Sequence, residues 1–169
     1  MCCSSVPNQT VVLILWQQAN VIIHNNCPRL SEYGLDSVLT NPDFDTADTP
    51  GTDGIGKWLA PEITALTSGG DKPVEVSKPT DVFAFAMLAV EVFTGEAPWG
   101  ETTKVKLVTP DIKRGLRPSK PAEVGEEMWD LIQSCWSQDP NSRPVIGNVV
   151  KKLKELVNSP GRCAIPRGY

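Results

Sequence analysis

Apolar residues near the start of the chain occur in the short runs typical of β-strands. Residues 21–23 and 29–31 flank residues 24–26, a His-Asn-Asn stretch of good turn composition. The pattern therefore predicts a small β-hairpin near the N-terminus. The apolar run VVLILW at residues 11–16 is also β-prone, and it is far shorter than the roughly 20 residues needed to cross a bilayer.

Helical spacing of apolar residues dominates the second half of the chain. Residues 80–95 are apolar almost all round, which is typical of a helix buried on every side, with Thr80 as its predicted N-cap and Gly95 at its end. Residues 125–136 set their apolar side chains at helical spacing, and a further helix is expected to start near Pro144. The chain is therefore predicted to be mainly α-helical.

A long polar stretch, residues 36–56, lies between the hairpin and the helices and is rich in Asp, Thr and Gly. Loops of this length are usually functional or disordered, and a mobile loop is expected here. The whole chain of 169 residues suggests one domain, and its 40% hydrophobic and 21% charged residues are ordinary for a soluble globular protein.

Charge and cysteine content narrow the classes of function. The net charge of −4 carries no signature of nucleic-acid binding, although residues 141–169 are basic and the rest of the chain is acidic. The five cysteines are odd in number and form no C-x-x-C pair. Reduced thiols in a cytoplasmic protein are therefore expected, rather than a disulfide scaffold or a zinc site. Neither a signal peptide nor membrane association is expected.

Four sequence blocks occur in one order along the chain. They are ANVIIHNNCPRLSEYGL at 19–35, GKWLAPEI at 56–63, SKPTDVFAFAMLAVEVFTGEAPW at 77–99, and IKRGLRPSKP at 112–121 followed by MWDLIQSCWSQDPNSRP at 128–144. Through these blocks the chain resembles the C-terminal lobe of a protein kinase, most closely in the tyrosine-kinase-like group. The resemblance covers residues 17–157, so residues 1–16 are interpreted as a non-matching segment and 158–169 as a C-terminal tail.

The resemblance implies an α+β fold, mainly α-helical, with the small hairpin near its start and a long activation-type loop. It also implies structural roles for three residues. Glu62 of the A-P-E sequence would pair with Arg143 and so anchor the end of the activation segment to the helical base of the lobe. A buried Arg–carboxylate pair of this kind is bidentate and directional. Asp81 would hydrogen-bond backbone N–H groups of the catalytic loop from below.

The activation segment implied by the resemblance begins near Gly34 and ends at the A-P-E sequence, Ala60, Pro61 and Glu62. Serine/threonine kinases usually have Thr five residues before the A-P-E alanine, where this chain has Ile55. That Thr normally touches the catalytic pair, so its loss is one departure from the family pattern.

The catalytic positions implied by the resemblance depart further. Asn20 aligns with the Asn that holds Mg²⁺, but Leu15 stands at the position of the base Asp and Gln17 at that of the usual Lys. Leucine cannot accept a proton. Glu32 replaces the metal-holding Asp with a longer side chain, and Mg²⁺ demands near-ideal octahedral geometry. ATP and Mg²⁺ are thus the implied cofactors, with weak or no binding expected in this chain.

Three interpretations of function stay open. In the first, the chain is a truncated or mis-spliced member of a family that phosphorylates Ser, Thr or Tyr in proteins; without the N-terminal lobe and the catalytic Asp it is inactive alone. In the second, it is a pseudokinase-type module that binds a protein through its helical face. In the third, it transfers phosphate by an altered mechanism. The abrupt loss of resemblance before Asn20 favours the first, and a protein substrate or partner, with no nucleic acid or membrane, is expected.

Overall fold

A two-stranded antiparallel hairpin opens the described part of the chain. The structure is a computed structural model that describes residues 21–25, 27–30, 55–66, 77–100 and 102–158. Strand β1 (Val21–His24) pairs with β2 (Cys27–Leu30). Asn25 between them has φ 51, a left-handed conformation that asparagine tolerates in turns. The predicted hairpin is confirmed, although β2 begins at Cys27 and not at residue 29.

Helices make up most of the remaining described residues, as predicted. They are α1 (Pro61–Leu66), α2 (Lys78–Thr94), α3 (Val105–Lys113), α4 (Glu126–Cys135) and α5 (Ile146–Asn158), with short 3₁₀ helices at Ile55–Lys57 and Pro140–Ser142. Most of the predicted activation-type loop, residues 36–54, lies outside the described residues. The same holds for the predicted non-matching segment 1–16 and for the tail after Asn158.

Helix α2 is buried on nearly every side along its middle, as its all-round apolar pattern predicts; Phe83, for example, is fully buried. Its predicted start is wrong by three residues. Ser77 is the N-cap, and Thr80 lies inside the first turn, where its hydroxyl accepts from the Ser77 N–H at 3.2 Å and donates to the Ser77 carbonyl at 2.6 Å. Gly95 ends the helix at φ 71, as expected of a C-terminal glycine.

Helix α3 has no counterpart among the sequence-based predictions. Val105, Val108 and Ile112 lie buried along one side of it, at helical spacing. Pro110 lies inside the helix, and proline there removes a backbone hydrogen bond and is normally read as a helix breaker. Pro110 itself is exposed, whereas Val108 and Ile112 on either side of it reach the core. Burial of these apolar side chains outweighs the loss of one backbone hydrogen bond.

The core forms where these helices meet. Helix α2 packs against α4, α1 packs against α3, and α4 packs against α5. Helix α5 begins at Ile146, close to the predicted Pro144, but Val149 is its only fully buried side chain. No helix in the described ranges is long and apolar enough to span a membrane. The largest fully buried side chains include Ile63, Phe83, Met87, Ile112 and Ile132.

Candidate functional site

The residues predicted for the catalytic loop and the metal positions, Leu15, Gln17, Asn20 and Glu32, lie outside the described residues, and so does Gly34. The backbone of Ile55 opens the 3₁₀ helix Ile55–Lys57. The A-P-E sequence, Asp81 and Arg143 are all described. The site that the geometry defines is therefore the anchored end of the predicted activation segment, residues 56–62.

Arg143 and Glu62, which the family resemblance pairs, form a two-point ion pair. Arg143 Nη1 lies 2.7 Å from Glu62 Oε1, and Arg143 Nη2 lies 2.8 Å from Glu62 Oε2. The Arg143 side chain is fully buried, whereas that of Glu62 is 27% exposed. A bidentate contact of this kind fixes direction as well as distance. It holds the first turn of α1 against the turn that precedes α5.

The other donors of Arg143 bind backbone carbonyls. Nη1 also donates to the Pro79 carbonyl at 2.9 Å, and Nε donates to the Ser137 carbonyl at 2.9 Å. The guanidinium carbon lies 5.1 Å from the centre of the Phe83 ring, within range of a cation–π contact. One buried cation thus joins α1, the start of α2 and the chain after α4. Its burial is tolerated because its charge is paired and its donors are hydrogen-bonded.

A second arginine, Arg117, lies beside the same ring and was given no role by sequence reasoning. Its guanidinium carbon is 4.9 Å from the Phe83 ring centre, and it donates twice to the Trp136 carbonyl, at 3.1 and 2.9 Å. Burial, together with the positive charge of Arg143, lowers the pKa of Arg117 to about 10, while Glu62 acts in the opposite direction. Arg117 therefore holds the chain before α4 to the end of α4.

Trp58 and Glu91 form a buried hydrogen bond that sequence reasoning also missed. Trp58 Nε1 donates to Glu91 Oε2 at 3.0 Å, and both residues are buried. The Trp58 side chain also belongs to the hydrophobic core. The sequence does contain a signal for this bond, since Glu91 is a carboxylate within an otherwise apolar stretch of α2. A buried carboxylate needs a hydrogen-bond partner, so a donor near Glu91 is to be expected.

Lys57 and Gly56 are held as tightly as Trp58. Lys57 is 4% exposed, and its Nζ donates to the Gly100 carbonyl at 2.6 Å. A Cβ added at Gly56 would lie 2.2 Å from Val105 Cγ1, so only glycine fits this approach to α3. Residues 56–58 are therefore fixed from three sides, by α3, by the loop after α2 and by α2 itself.

The A-P-E sequence continues this fixed segment into α1. The Ala60 carbonyl accepts from the N–H groups of Ile63 and Thr64, at 3.0 and 3.1 Å. Pro61 is the first residue of the helix, a position that suits proline because its missing N–H would have no helical partner there. Asp81 is half-buried in the first turn of α2; its predicted partners, the catalytic-loop backbone groups, lie outside the described residues.

The described residues offer anchoring and apolar packing rather than metal-binding chemistry. Within the ranges that the structure describes, no group of three or more His, Cys, Asp or Glu side chains is placed to hold a metal ion. The side-chain donors of Lys57, Trp58 and Arg143 bind instead to the carboxylates of Glu62 and Glu91 and to backbone carbonyls. The arrangement therefore presents a rigid backbone segment at residues 56–62.

Comparison with known proteins supplies the family. A family model for protein tyrosine and serine/threonine kinases matches residues 17–153. The chain is 30% identical over 133 residues to serine/threonine-protein kinase STY17 of Arabidopsis thaliana, covering 79% of this chain and 21% of that protein. It is 27% identical over 143 residues to ephrin type-A receptor 5 of Rattus norvegicus, covering 83% of this chain and 13% of that protein.

A light-sensor protein kinase of Ceratodon purpureus is 34% identical over 111 residues, which cover 61% of this chain and 8% of that protein. The chain thus spans about a fifth, or less, of the length of these relatives. The family match nevertheless includes most of the chain, from the predicted catalytic loop to α5. The chain therefore belongs to the protein tyrosine and serine/threonine kinase family.

Proposed function

We propose that residues 17–157 form the C-terminal lobe of a protein kinase domain, and that this chain by itself does not transfer phosphate. The assignment as a C-terminal lobe rests on the bidentate Arg143–Glu62 pair, in which Arg143 also donates to the Pro79 carbonyl. The pair joins the A-P-E sequence to the helical base, which is the role that the resemblance gives it.

The role of the lobe follows from what it holds in place. Lys57, Trp58 and Glu62 each have a buried or partly buried partner, so the segment that carries them keeps one backbone conformation. We propose that this lobe provides the substrate-side surface for phosphorylation of a protein, with the residue type accepted left open.

The inactivity of the chain alone follows from residue identity. Leu15 stands at the position of the proton acceptor and has no basic atom, and Gln17 replaces a cation by a neutral amide. When bound, Mg²⁺–ATP supplies the transferable phosphoryl group and screens its charge. Asn20 and Glu32 are the residues that would hold the metal, and this pair without the base does not complete the catalytic set.

The test is a phosphotransfer and ligand-binding assay on the purified chain. Radiolabelled Mg²⁺–ATP with casein and with a Glu-Tyr copolymer is expected to give no transfer above a no-enzyme control. Millimolar Mg²⁺–ATP is expected to leave the melting temperature unchanged. Transfer above the control, or a stabilisation of several degrees that is lost on Glu32→Ala, would overturn the proposed inactivity.

A second candidate function is a protein-binding module of the pseudokinase type. It is favoured by the fact that the anchors of the described lobe, Arg143, Lys57 and Trp58, find their partners within the protein and need no nucleotide. The lobe then keeps its shape without catalysis. This function requires a monomeric chain that unfolds cooperatively, and sedimentation with urea unfolding measures both; a chain that only aggregates would exclude it.

A further inference from the structure

Helix α5 carries an apolar stripe on the surface of the lobe, which we name the outer stripe. Ile146, Val150, Leu153 and Val157 follow one another at intervals of four, three and four residues, so they share one side of the helix. Ile146, Val150 and Val157 are 45%, 42% and 66% exposed, and Leu153 is half-buried. Apolar residues that alternate at four and three form the seam of a coiled coil. The stripe therefore has the pattern of a surface that packs against another helix.

One flank of the outer stripe is held by the lobe itself. Val149 is fully buried, and Leu156, seven residues further on, packs against the hydrophobic core. Both precede a member of the stripe by one residue, so they lie on the same side of it. A partner therefore meets the stripe from the front and from the opposite flank, which we name the free flank.

A groove of about 240 Å³ lies over the C-terminal half of the outer stripe. Its lining includes Val150, Leu153, Lys154 and Val157, with Asn158 at the end. The first four stand at positions i, i+3, i+4 and i+7 of one helix. Four residues in this arrangement form the hole that receives one side chain of a facing helix in knobs-into-holes packing. The groove therefore suits a side chain that projects from a helix.

The free flank is positively charged. Lys154 lies directly beside the stripe and Lys151 lies one turn before it, and both are exposed. Among the described residues neither lysine is in an ion pair, whereas Lys152, on the far side of α5, pairs with Glu155. Charges beside a coiled-coil seam determine which partner is accepted. A partner with carboxylates along this flank is therefore favoured.

Charge and geometry argue against a second copy of α5 as the occupant. In an antiparallel pair the free flanks would face each other and bring Lys154 of the two copies together, and like charges across an interface oppose association. In a parallel pair the free flank of one copy would face the flank of Val149 and Leu156 on the other copy, which is already packed against its own lobe.

Two other occupants fit the surface less well. The segment after α5, residues 159–169, carries two arginines and no acidic residue, so the lysines of the free flank repel it. An anionic membrane would attract these lysines, but α5 contains no Trp or Phe, the residues that often anchor interfacial helices. A bilayer also offers no fixed side chain for the hole in the groove.

We propose that the outer stripe docks an amphipathic helix of a partner protein, with an aliphatic seam and with carboxylates on the flank that meets Lys154. Aliphatic side chains of the partner fill the groove, and its Asp or Glu residues pair with Lys154 and Lys151. The stripe is about 16 Å long, or roughly three helical turns, so the contact is small and reversible. The proposal depends on neither phosphate transfer nor nucleotide binding, and its failure would leave the assignment as a kinase lobe unchanged.

Two synthetic peptides test the proposal on the full chain. Each is a helix of about three heptads with leucine along the seam; one carries glutamate on both flanks and the other carries lysine there. Like charges on the flanks keep copies of either peptide from pairing with each other. Fluorescence anisotropy at about 0.15 M salt measures binding to the protein. The glutamate peptide is expected to bind, and the lysine peptide is expected to bind about tenfold more weakly.

Substitutions on α5 locate the binding surface. Val157→Asn is expected to weaken binding of the glutamate peptide about tenfold, because an apolar side chain is lost from the seam. Val92→Asn on α2 is the matched control, since Val92 is 67% exposed against 66% for Val157, and it is expected to leave binding unchanged. Lys154→Glu is expected to reverse the preference between the two peptides, whereas Lys152→Glu, on the far side of α5, is expected to preserve it.

The proposal is overturned if the glutamate peptide does not bind, if both peptides bind equally, or if Val157→Asn leaves binding intact. A preference that Lys154→Glu does not reverse would exclude the acidic partner. Two further results would name another occupant and so contradict the proposal. Co-sedimentation with vesicles of phosphatidylserine and phosphatidylcholine that Val157→Asn abolishes would make the stripe a membrane surface. A concentration-dependent dimer that the same substitution abolishes would make it a self-association surface.

Discussion

The carboxylate of Glu62 and the guanidinium of Arg143 meet through two hydrogen bonds, of 2.7 and 2.8 Å, although the residues are 81 positions apart in the sequence. Arg143 is completely buried and Glu62 is the anion bonded to it. The pair therefore ties the first turn of α1 to the chain that leads into α5. Removal of the Glu62 carboxylate would leave the buried Arg143 cation without its anion.

Glu62→Ala is expected to lower the free energy of unfolding by about 3–5 kcal/mol, because breaking a buried ion pair strands the remaining charge. Urea unfolding followed by tryptophan fluorescence measures the change. Glu155→Ala is the matched control, since Glu155 pairs with Lys152 at 4.0 Å with both side chains about half exposed. Surface pairs contribute about 1 kcal/mol or less. Equal effects of the two substitutions would mean that the buried pair does not stabilise the fold more than a surface pair does.

The Trp58–Glu91 hydrogen bond leads to a prediction about coupling between residues. Trp58→Phe removes the indole donor, and Glu91→Gln removes the charge of the acceptor while keeping its shape. Each change is expected to destabilise the protein, and the double variant is expected to cost less than the sum, by about 1 kcal/mol. Unfolding free energies of the four proteins in this double-mutant cycle give the coupling. Additive effects would show that the charge of Glu91 adds nothing to the strength of the 3.0 Å hydrogen bond.

The two residue pairs differ in whether they could be predicted from the sequence. Arg143 with Glu62 follows from the A-P-E and D-P-x-x-R-P motifs, because a motif fixes both partners at once. Trp58 with Glu91 follows from no motif quoted for the resemblance, because its partners meet only when the chain before α1 packs on α2. The hairpin and α2 were predictable from local patterns, since turn composition and all-round apolarity are properties of short segments.

Other features depend on packing that no short segment reveals. Helix α3 was missed because Pro110 interrupts its pattern, and only burial of Val108 and Ile112 compensates. Threonine is a common N-cap, so the sequence favours Thr80 as the start of α2, whereas the Thr80 hydroxyl lies inside the helix and bonds to the backbone of the true cap, Ser77. The predicted catalytic and metal positions lie outside the described residues, so for them the sequence-based interpretation stays a prediction.

Cys135 gives the protein a predictable loss of stability at high pH. Burial raises the pKa of this thiol to about 11 from an ordinary value of 9.0, although a hydrogen bond from Ser134 opposes the shift. Below pH 9 the thiol is protonated in both the folded and unfolded chains, so stability does not depend on it. Between pH 9 and pH 11 the unfolded chain loses the proton first, and stability falls as the pH rises.

The expected loss at pH 11 is about 2–3 kcal/mol, since one pKa unit corresponds to ~1.4 kcal/mol. Unfolding free energies of the wild type and Cys135→Ala are compared from pH 7 to pH 11, so that titration of lysines and tyrosines cancels. The free energy of unfolding of the wild type minus that of Cys135→Ala should be constant up to pH 9. Above pH 9 this difference should fall, because only the wild type loses stability through Cys135. A constant difference over the whole range would mean that Cys135 titrates normally in the folded protein.

Gly56 and Gly147 make a matched pair for testing the close approach of the A-P-E segment to α3. A Cβ at position 56 would lie 2.2 Å from Val105 Cγ1, whereas a Cβ at position 147 would have nothing within 4 Å. Gly56→Ala is therefore expected to destabilise the protein by about 1–3 kcal/mol through overpacking. Gly147→Ala, inside α5, is expected to stabilise it by about 0.5–1 kcal/mol, because alanine loses less entropy than glycine in a helix.

A rescue variant tests whether overpacking against Val105 is the cause of the instability expected for Gly56→Ala. Val105→Ala removes the two methyl groups nearest the new Cβ, so Gly56→Ala with Val105→Ala should lose less stability than the sum of the single changes. Urea unfolding of the four proteins measures this coupling, with Gly147→Ala carried through as the reference. If Val105→Ala brings no relief, the contact with α3 does not explain the cost of Gly56→Ala.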